Sequence, residues 1–141
     1  MRFLGIDLGT KRIGLATGDD LGLASPHPAL TQTTPELRWA ELLATVSRQR
    51  IDELVLGYPL NMDDTAGPKA LESEAFAARL REATGKPVHL VDERLTSHAA
   101  EATLPKHKLR GLRASGVVDS RAAAMILQDY LDQRFPPMLA E

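Results

Sequence analysis

Asp7, Asp92, Glu93 and Asp119 stand where apolar runs end or begin, positions from which carboxylates can do chemistry. Asp7 ends the run FLGI just before Gly9, Asp92 and Glu93 follow VHLV, and Asp119 precedes AAAMIL. Three separated acids brought to one edge would hold a hard cation such as Mg2+ or Mn2+. Two such ions about 3.5–4 Å apart can activate a water and stabilise the leaving oxygen of a phosphodiester. The chain has no cysteine, which removes thiolate zinc sites, disulfides and cysteine nucleophiles and fits a reducing compartment. Its histidines, His27, His89, His98 and His107, show no paired ligand spacing and accompany no obvious nucleophilic serine, so they read as structural or surface residues.

Each acid also has an ordinary role open to it. Asp7 can form a turn and Asp119 can cap a helix. Period-two alternation sends Asp92 and Glu93 to opposite faces of a strand, so only one shares a site with Asp7, and the period does not choose between them. The other is then a surface charge or a partner for Arg94 or Arg12. At about 100° per residue, Asp119 lies on one stripe with Ala122, Ala123, Ile126 and Tyr130, while Asp129 and Asp132 fall outside it. A carboxylate on an inward stripe needs pairing or coordination, and the alanines let a helix and sheet come close.

The elements that must position these acids follow from pattern and punctuation. A strand is expected at Arg2–Leu8, a turn at 9–11 and a second strand at Arg12–Thr17, making a hairpin. A third strand is expected at Ala29–Gln32, after Pro26 and Pro28, which suit an edge. Pro35 opens a helix to Gln49 with Trp39, Leu42, Leu43 and Val46 on its stripe, Trp39 being read as core. Glu53–Gly57 reads as a buried strand, 59–68 as a loop, and Lys69–Ala83 as a helix closed by Gly85. Val88–Asp92 is a further buried strand. Thr96 caps a short helix to Leu104, and Ser120–Phe135 is the last helix. Strands alternating with helices after a hairpin predict an α/β fold with a mixed sheet, in one domain spanning 1–141. Parallel strands place Asp7, the loop after Gly57 and the Asp92–Glu93 pair along one edge, where open α/β sheets bind ligands.

No apolar run nears the roughly 18 residues of a membrane span. The formal charge of −2 counts against broad phosphate binding and assigns that role to a local patch. Lys106, Lys108, Arg110 and Arg113 lie in a segment without an acid, which a solvated loop would also explain.

Taken together, GIDLGTKRIGLA (5–16), LGYPLNMDDTAGP (56–68), VDERLTS (91–97) and DSRAAAMILQDYL (119–131) resemble, in order and spacing, the YqgF/RuvX family of pre-16S rRNA nucleases and Holliday junction resolvase-like proteins. The resemblance covers nearly the whole chain. It implies a ribonuclease H-like, mixed five-stranded sheet flanked by helices. It also implies Asp7, Glu93 and Asp119 as catalytic, Mg2+- or Mn2+-holding acids, with Asp92 secondary. The implied activity is nuclease cleavage at the 5′ end of precursor 16S rRNA in the cytoplasm, or of branched DNA, by a monomer or homodimer. Lys11, Arg12, Asn61 and Arg94 join the basic run as expected nucleic-acid contacts. Tyr58 and Asp64 depart from the family pattern, and Asp64 adds negative charge to a loop expected near phosphate. Two rivals remain: a non-catalytic RNA-binding scaffold, and a nucleotide-binding protein, since Asp7, Gly9 and Thr10 also resemble the phosphate motif of actin-like ATPases.

Overall fold

The computed structural model describes residues 1–59, 63, 65–92 and 116–136. In chain order these form β1 (Arg2–Leu8), β2 (Ile13–Asp19), β3 (Ala24–Leu30), α1 (Pro35–Arg48), β4 (Glu53–Tyr58), α2 (Pro68–Thr84), β5 (Val88–Asp92) and α3 (Val117–Arg134). The sheet order is β3-β2-β1-β4-β5. β1, β2 and β3 pair antiparallel, whereas β4 pairs parallel with β1 and β5. This is the mixed five-stranded, ribonuclease H-like arrangement. The expected helix from Thr96 to Leu104 lies outside the described residues. No described helix is long and apolar enough to cross a membrane.

Three elements begin earlier than their sequence pattern predicts, α2 by a single residue at Pro68 and β3 and α3 by more. β3 runs through Pro26 and Pro28 instead of starting after them, because it is an edge strand that pairs only with β2. Ile13 pairs with Leu30 but Leu15 with His27, so β3 carries one extra residue there, a bulge beside its prolines. α3 begins at Val117, not Ser120, and its cap is Gly116 at φ 82°. That left-handed turn suits glycine, and a Cβ there would lie 2.4 Å from the Ala29 Cβ. Asp119 is therefore in the first turn and is not the cap.

Burial divides the sheet into two faces. Leu4, Ile6, Leu15, Leu54 and Leu56 pack with Leu42, Val46 and Leu80 under α1 and α2. Phe3, Ala16, Val55 and Val91 pack with Ala123, Ile126, Leu127 and Leu131 of α3. Because β1 and β4 are covered on both sides, they are apolar without alternation. On the α1 stripe Leu43 is only half-buried, its place being taken by Thr45 and Arg38.

α3 sits unusually near β1 and β2. A Cβ on Gly14 would stand 2.0 Å from the Asp119 carbonyl oxygen, and one on Gly5 would stand 2.7 Å from the Leu127 Cβ. Polar contacts hold this seat along its length. Ser120 Oγ donates to the His27 carbonyl (2.7 Å), and Gln128 accepts from the Ala24 amide (2.9 Å) while donating to the Gly22 carbonyl (2.7 Å). At the far end Arg134 Nη1 donates to Glu53 Oε1 (2.6 Å), which also meets His89 Nε2 (2.6 Å). The His89 ring stacks on Tyr130 at 4.9 Å, so His89 is a satisfied boundary residue, as its pattern indicates.

Two outcomes follow from this seat. Gly14→Ala should lower stability in urea melts by about 2 kcal/mol or more, since a backbone oxygen must move. Gly85→Ala, where only left-handed strain opposes the methyl at φ 68°, should cost about 1 kcal/mol. Equal losses would show that the end of α3 yields freely.

The second concerns pH. Hydrogen bonding from Arg134, reinforced by His89 and opposed by burial, holds the Glu53 carboxyl below its ordinary 4.5. A lowered folded-state value gives stability that is present above 4.5 and lost as pH falls through the folded value. Glu53→Gln should therefore cost about 1.5–3 kcal/mol at pH 7, with the gap to wild type closing below pH ~4.5. A gap independent of pH would remove the charge from the explanation.

Candidate active site

β1 delivers Asp7 to the sheet edge, and the turn beyond it is closed by the Gly9 amide donating to the Arg12 carbonyl at 2.9 Å. That turn is too tight for a side chain, since a Cβ on Gly9 would stand 2.5 Å from the same carbonyl oxygen. Across the hairpin Asp7 pairs with Gly14, and paired residues project to the same face. The face is that of α3. Asp119 lies directly over Gly14, its Cβ 2.9 Å from the position a Gly14 Cβ would take. The Asp7 Cβ is about 5 Å from that same position by strand pairing. Two half-buried carboxylates thus share one face at one edge.

Two negative charges this near repel, and partial burial weakens solvent screening. Arg12 answers part of that charge: its Nε donates to Asp119 Oδ2 at 2.7 Å, with both side chains about three-quarters buried. Among the described residues the carboxylate partner of Arg12 is therefore Asp119 and not Asp92, which its sequence position had left open. Lys11 is exposed in the turn.

Asp92 pairs with Tyr58 and follows Val91, which packs under α3. Alternation puts Asp92 on the α1 and α2 face, opposite Asp7, and it is exposed. Glu93, Arg94, Asn61, Asp64, Lys106, Lys108, Arg110 and Arg113 lie outside the described residues. Among the described residues no three acids or histidines gather as a metal-ligand group. Asp7 and Asp119 nevertheless offer the hard oxygen donors that a divalent cation of the Mg2+ class takes. On the other face, the Tyr58 hydroxyl donates to Glu74 Oε1 at 3.0 Å, away from the acids.

Sequence reasoning missed a cleft of about 660 Å3 between α1 and α2, which Asp7 also borders. Trp39, read as core, is half-buried in its wall, and buried Arg38 stands beside it. A signal existed: Arg38 falls on one helical stripe with Leu42 and Thr45, and a charge on such a stripe needs a reason.

Residues 1–133 match the family model described as RuvX: Holliday junction resolvase. The chain belongs to the RuvX family. It is 66% identical over 140 residues to a protein of Opitutus terrae named "Putative pre-16S rRNA nuclease", covering 99% of this chain and 97% of that one. A relative of the same name from Anaeromyxobacter sp. is 44% identical over 135 residues, covering 95% and 98%. Among solved structures, Thermus thermophilus RuvC with a Holliday junction substrate superposes with TM-score 0.58 at 20% identity, over 96% of both chains. The fowlpox virus resolvase solved with substrate Holliday junction DNA gives 0.59 at 12% identity, over 95% of this chain and 99% of that one. At these identities the likeness speaks to the fold alone.

The Arg12–Asp119 contact can be measured directly. A double-mutant cycle of Arg12→Gln and Asp119→Asn in urea should return a coupling of about 1 kcal/mol, between the values for exposed pairs and buried charged hydrogen bonds. Strict additivity would mean that the pair does not contribute to holding the first turn of α3.

Proposed function

We propose that this chain is a divalent-metal-dependent nuclease that trims the 5′ end of precursor 16S rRNA, as one cytoplasmic domain over 1–141. The observation that carries the reading is the shared face of Asp7 and Asp119, stacked through Gly14. The names of the full-length relatives supply the substrate. Asp7, Asp119 and Glu93 would hold Mg2+ or Mn2+. Asp92 faces away from Asp7, and the family resemblance assigns the third acid to Glu93. When bound, the ion supplies water activation and charge stabilisation at the scissile phosphate.

The protein's own contribution is placement. Arg12 fixes the Asp119 carboxylate, the Gly9 turn keeps the approach to Asp7 free of side chains, and exposed Lys11 meets phosphate. Arg94, Lys106, Lys108, Arg110 and Arg113 are assigned to further substrate contacts, because backbone phosphates need local cations in a chain of net charge −2, and neutral Asn61 joins them as a hydrogen-bonding contact.

Purified protein with Mg2+ or Mn2+ should cleave precursor 16S rRNA ends in preference to unrelated single-stranded RNA, single-stranded DNA and four-way DNA junctions. Preference for the junction would transfer the activity to branched DNA, as the family description has it. RNA binding with no cleavage of any substrate would favour the scaffold reading. Asp7→Asn keeps side-chain shape and removes one ligand charge. It should cut the rate at least about a hundredfold, ~2.7 kcal/mol of transition-state stabilisation. In EDTA its melting temperature should equal or exceed that of wild type, because repulsion with Asp119 is relieved. Lost activity with a clearly lower melting temperature would instead make Asp7 a structural turn residue.

A further inference from the structure

The cleft on the face opposite Asp119 has features that catalysis at the acids does not use. Arg38 lines it with only 6% of its surface exposed. Its guanidinium donates to the Gln32 carbonyl (2.6 Å) and the Thr10 carbonyl (3.2 Å), and no carboxylate among the described residues pairs with it. A buried cation held by carbonyls alone leaves its charge unanswered and keeps donors to spare. Lys69 and Arg79 add two exposed cations, also without a carboxylate partner among the described residues, against Glu72 on the same wall. Arg79 lies over the Trp39 ring at 3.9 Å, and Phe76 meets that ring edge-on at 5.4 Å. Both α1 and α2 begin at this end, so their first-turn amides add positive potential. A cleft of about 660 Å3 is of ordinary size for a small organic group.

We propose that this cleft seats one nucleotide of the single-stranded RNA substrate, its base against Trp39 and its phosphate between Lys69 and Arg79. The assignment rests on the nuclease reading and extends it, since Asp7 borders the cleft and a strand lying there passes the acid edge. Arg38 supplies fixed positive charge beneath the phosphate. Arg79 leaves the ring for the phosphate when the base arrives, because base stacking on an aromatic ring is stronger than an exposed cation–π contact.

Trp39 is the chain's single tryptophan, so its emission reports on this cleft alone. In EDTA, a 12-nucleotide single-stranded RNA should quench Trp39 along the same isotherm that anisotropy of the labelled RNA follows. The exposed-residue variant Lys69→Gln/Arg79→Gln should keep the wild-type melting temperature and bind about tenfold more weakly. Its slope of log affinity against log salt should fall by about 1.4, or 0.7 for each of two lost phosphate contacts. Binding without quenching, or an unchanged slope, would overturn the assignment. Quenching by AMP or by inorganic phosphate at concentrations as low as those of the RNA would make the cleft a free-nucleotide or phosphate site and also overturn it. Failure here is separable from failure of the nuclease reading. Metal-dependent cleavage unaffected by the double variant would sink the cleft and spare the activity, whereas quenching without cleavage would do the reverse.

Discussion

The seat of α3 on the glycines of β1 and β2 is the constraint from which the rest follows. Asp119 can lie over the hairpin only because Gly14 has no Cβ to occupy the space 2.0 Å from its carbonyl. Gly5 permits the same approach one helical stretch later, under Ala123 and Leu127. Glycine inside a strand weakens it by entropy and lost packing. Here that loss is offset by burying Ile126, Leu127 and Leu131 completely, each contributing about 1.5–3 kcal/mol. The close helix therefore supplies both a core and a carboxylate beside Asp7. Those two roles cannot be separated by moving the helix outward.

The seat also explains why the acids coexist. Two carboxylates on a half-buried face would push the helix end away unless something answers their charge. Arg12, just before β2, reaches Asp119 from 107 positions earlier in the chain. At the other end Arg134 and His89 take up Glu53. α3 is thus tied by ion pairs at both termini and by Gln128 between them. Such a helix resists sliding along the sheet, and sliding by one turn would carry Asp119 away from Asp7.

Much of this was legible where a residue's neighbours lie along its own element. β1 and β5 match their predicted bounds because acids, glycine and proline punctuate their apolar runs. The inward stripe of Asp119 with Ala122, Ala123 and Ile126 was visible for the same reason, although Tyr130 lies only half-buried at its margin. What depends on distant partners was not legible. Nothing in the sequence says that Gly14 would face Asp119, that Arg12 would choose it, or that the prolines of β3 would sit inside an edge strand with a bulge. Period two left Asp92 and Glu93 open. The pairing of Asp92 with Tyr58, beside Val91 under α3, places Asp92 opposite Asp7.

The small net charge of −2 conceals a segregated surface. Near the N-terminal ends of the parallel strands, Asp52 accepts from the Arg2 amide (2.7 Å) and Glu53 is held by Arg134, so acids there are matched locally. At the opposite end, Arg38, Lys69 and Arg79 have no carboxylate partner among the described residues, and the helix starts add to their field. A phosphate responds to the potential where it binds and not to the sum over the chain. The α/β topology enforces this polarity, because every parallel strand ends where the next crossover helix begins. Strand ends deliver the carboxylate and helix starts deliver the positive potential to one edge. An anionic polymer can therefore be attracted to an edge that also carries two acids.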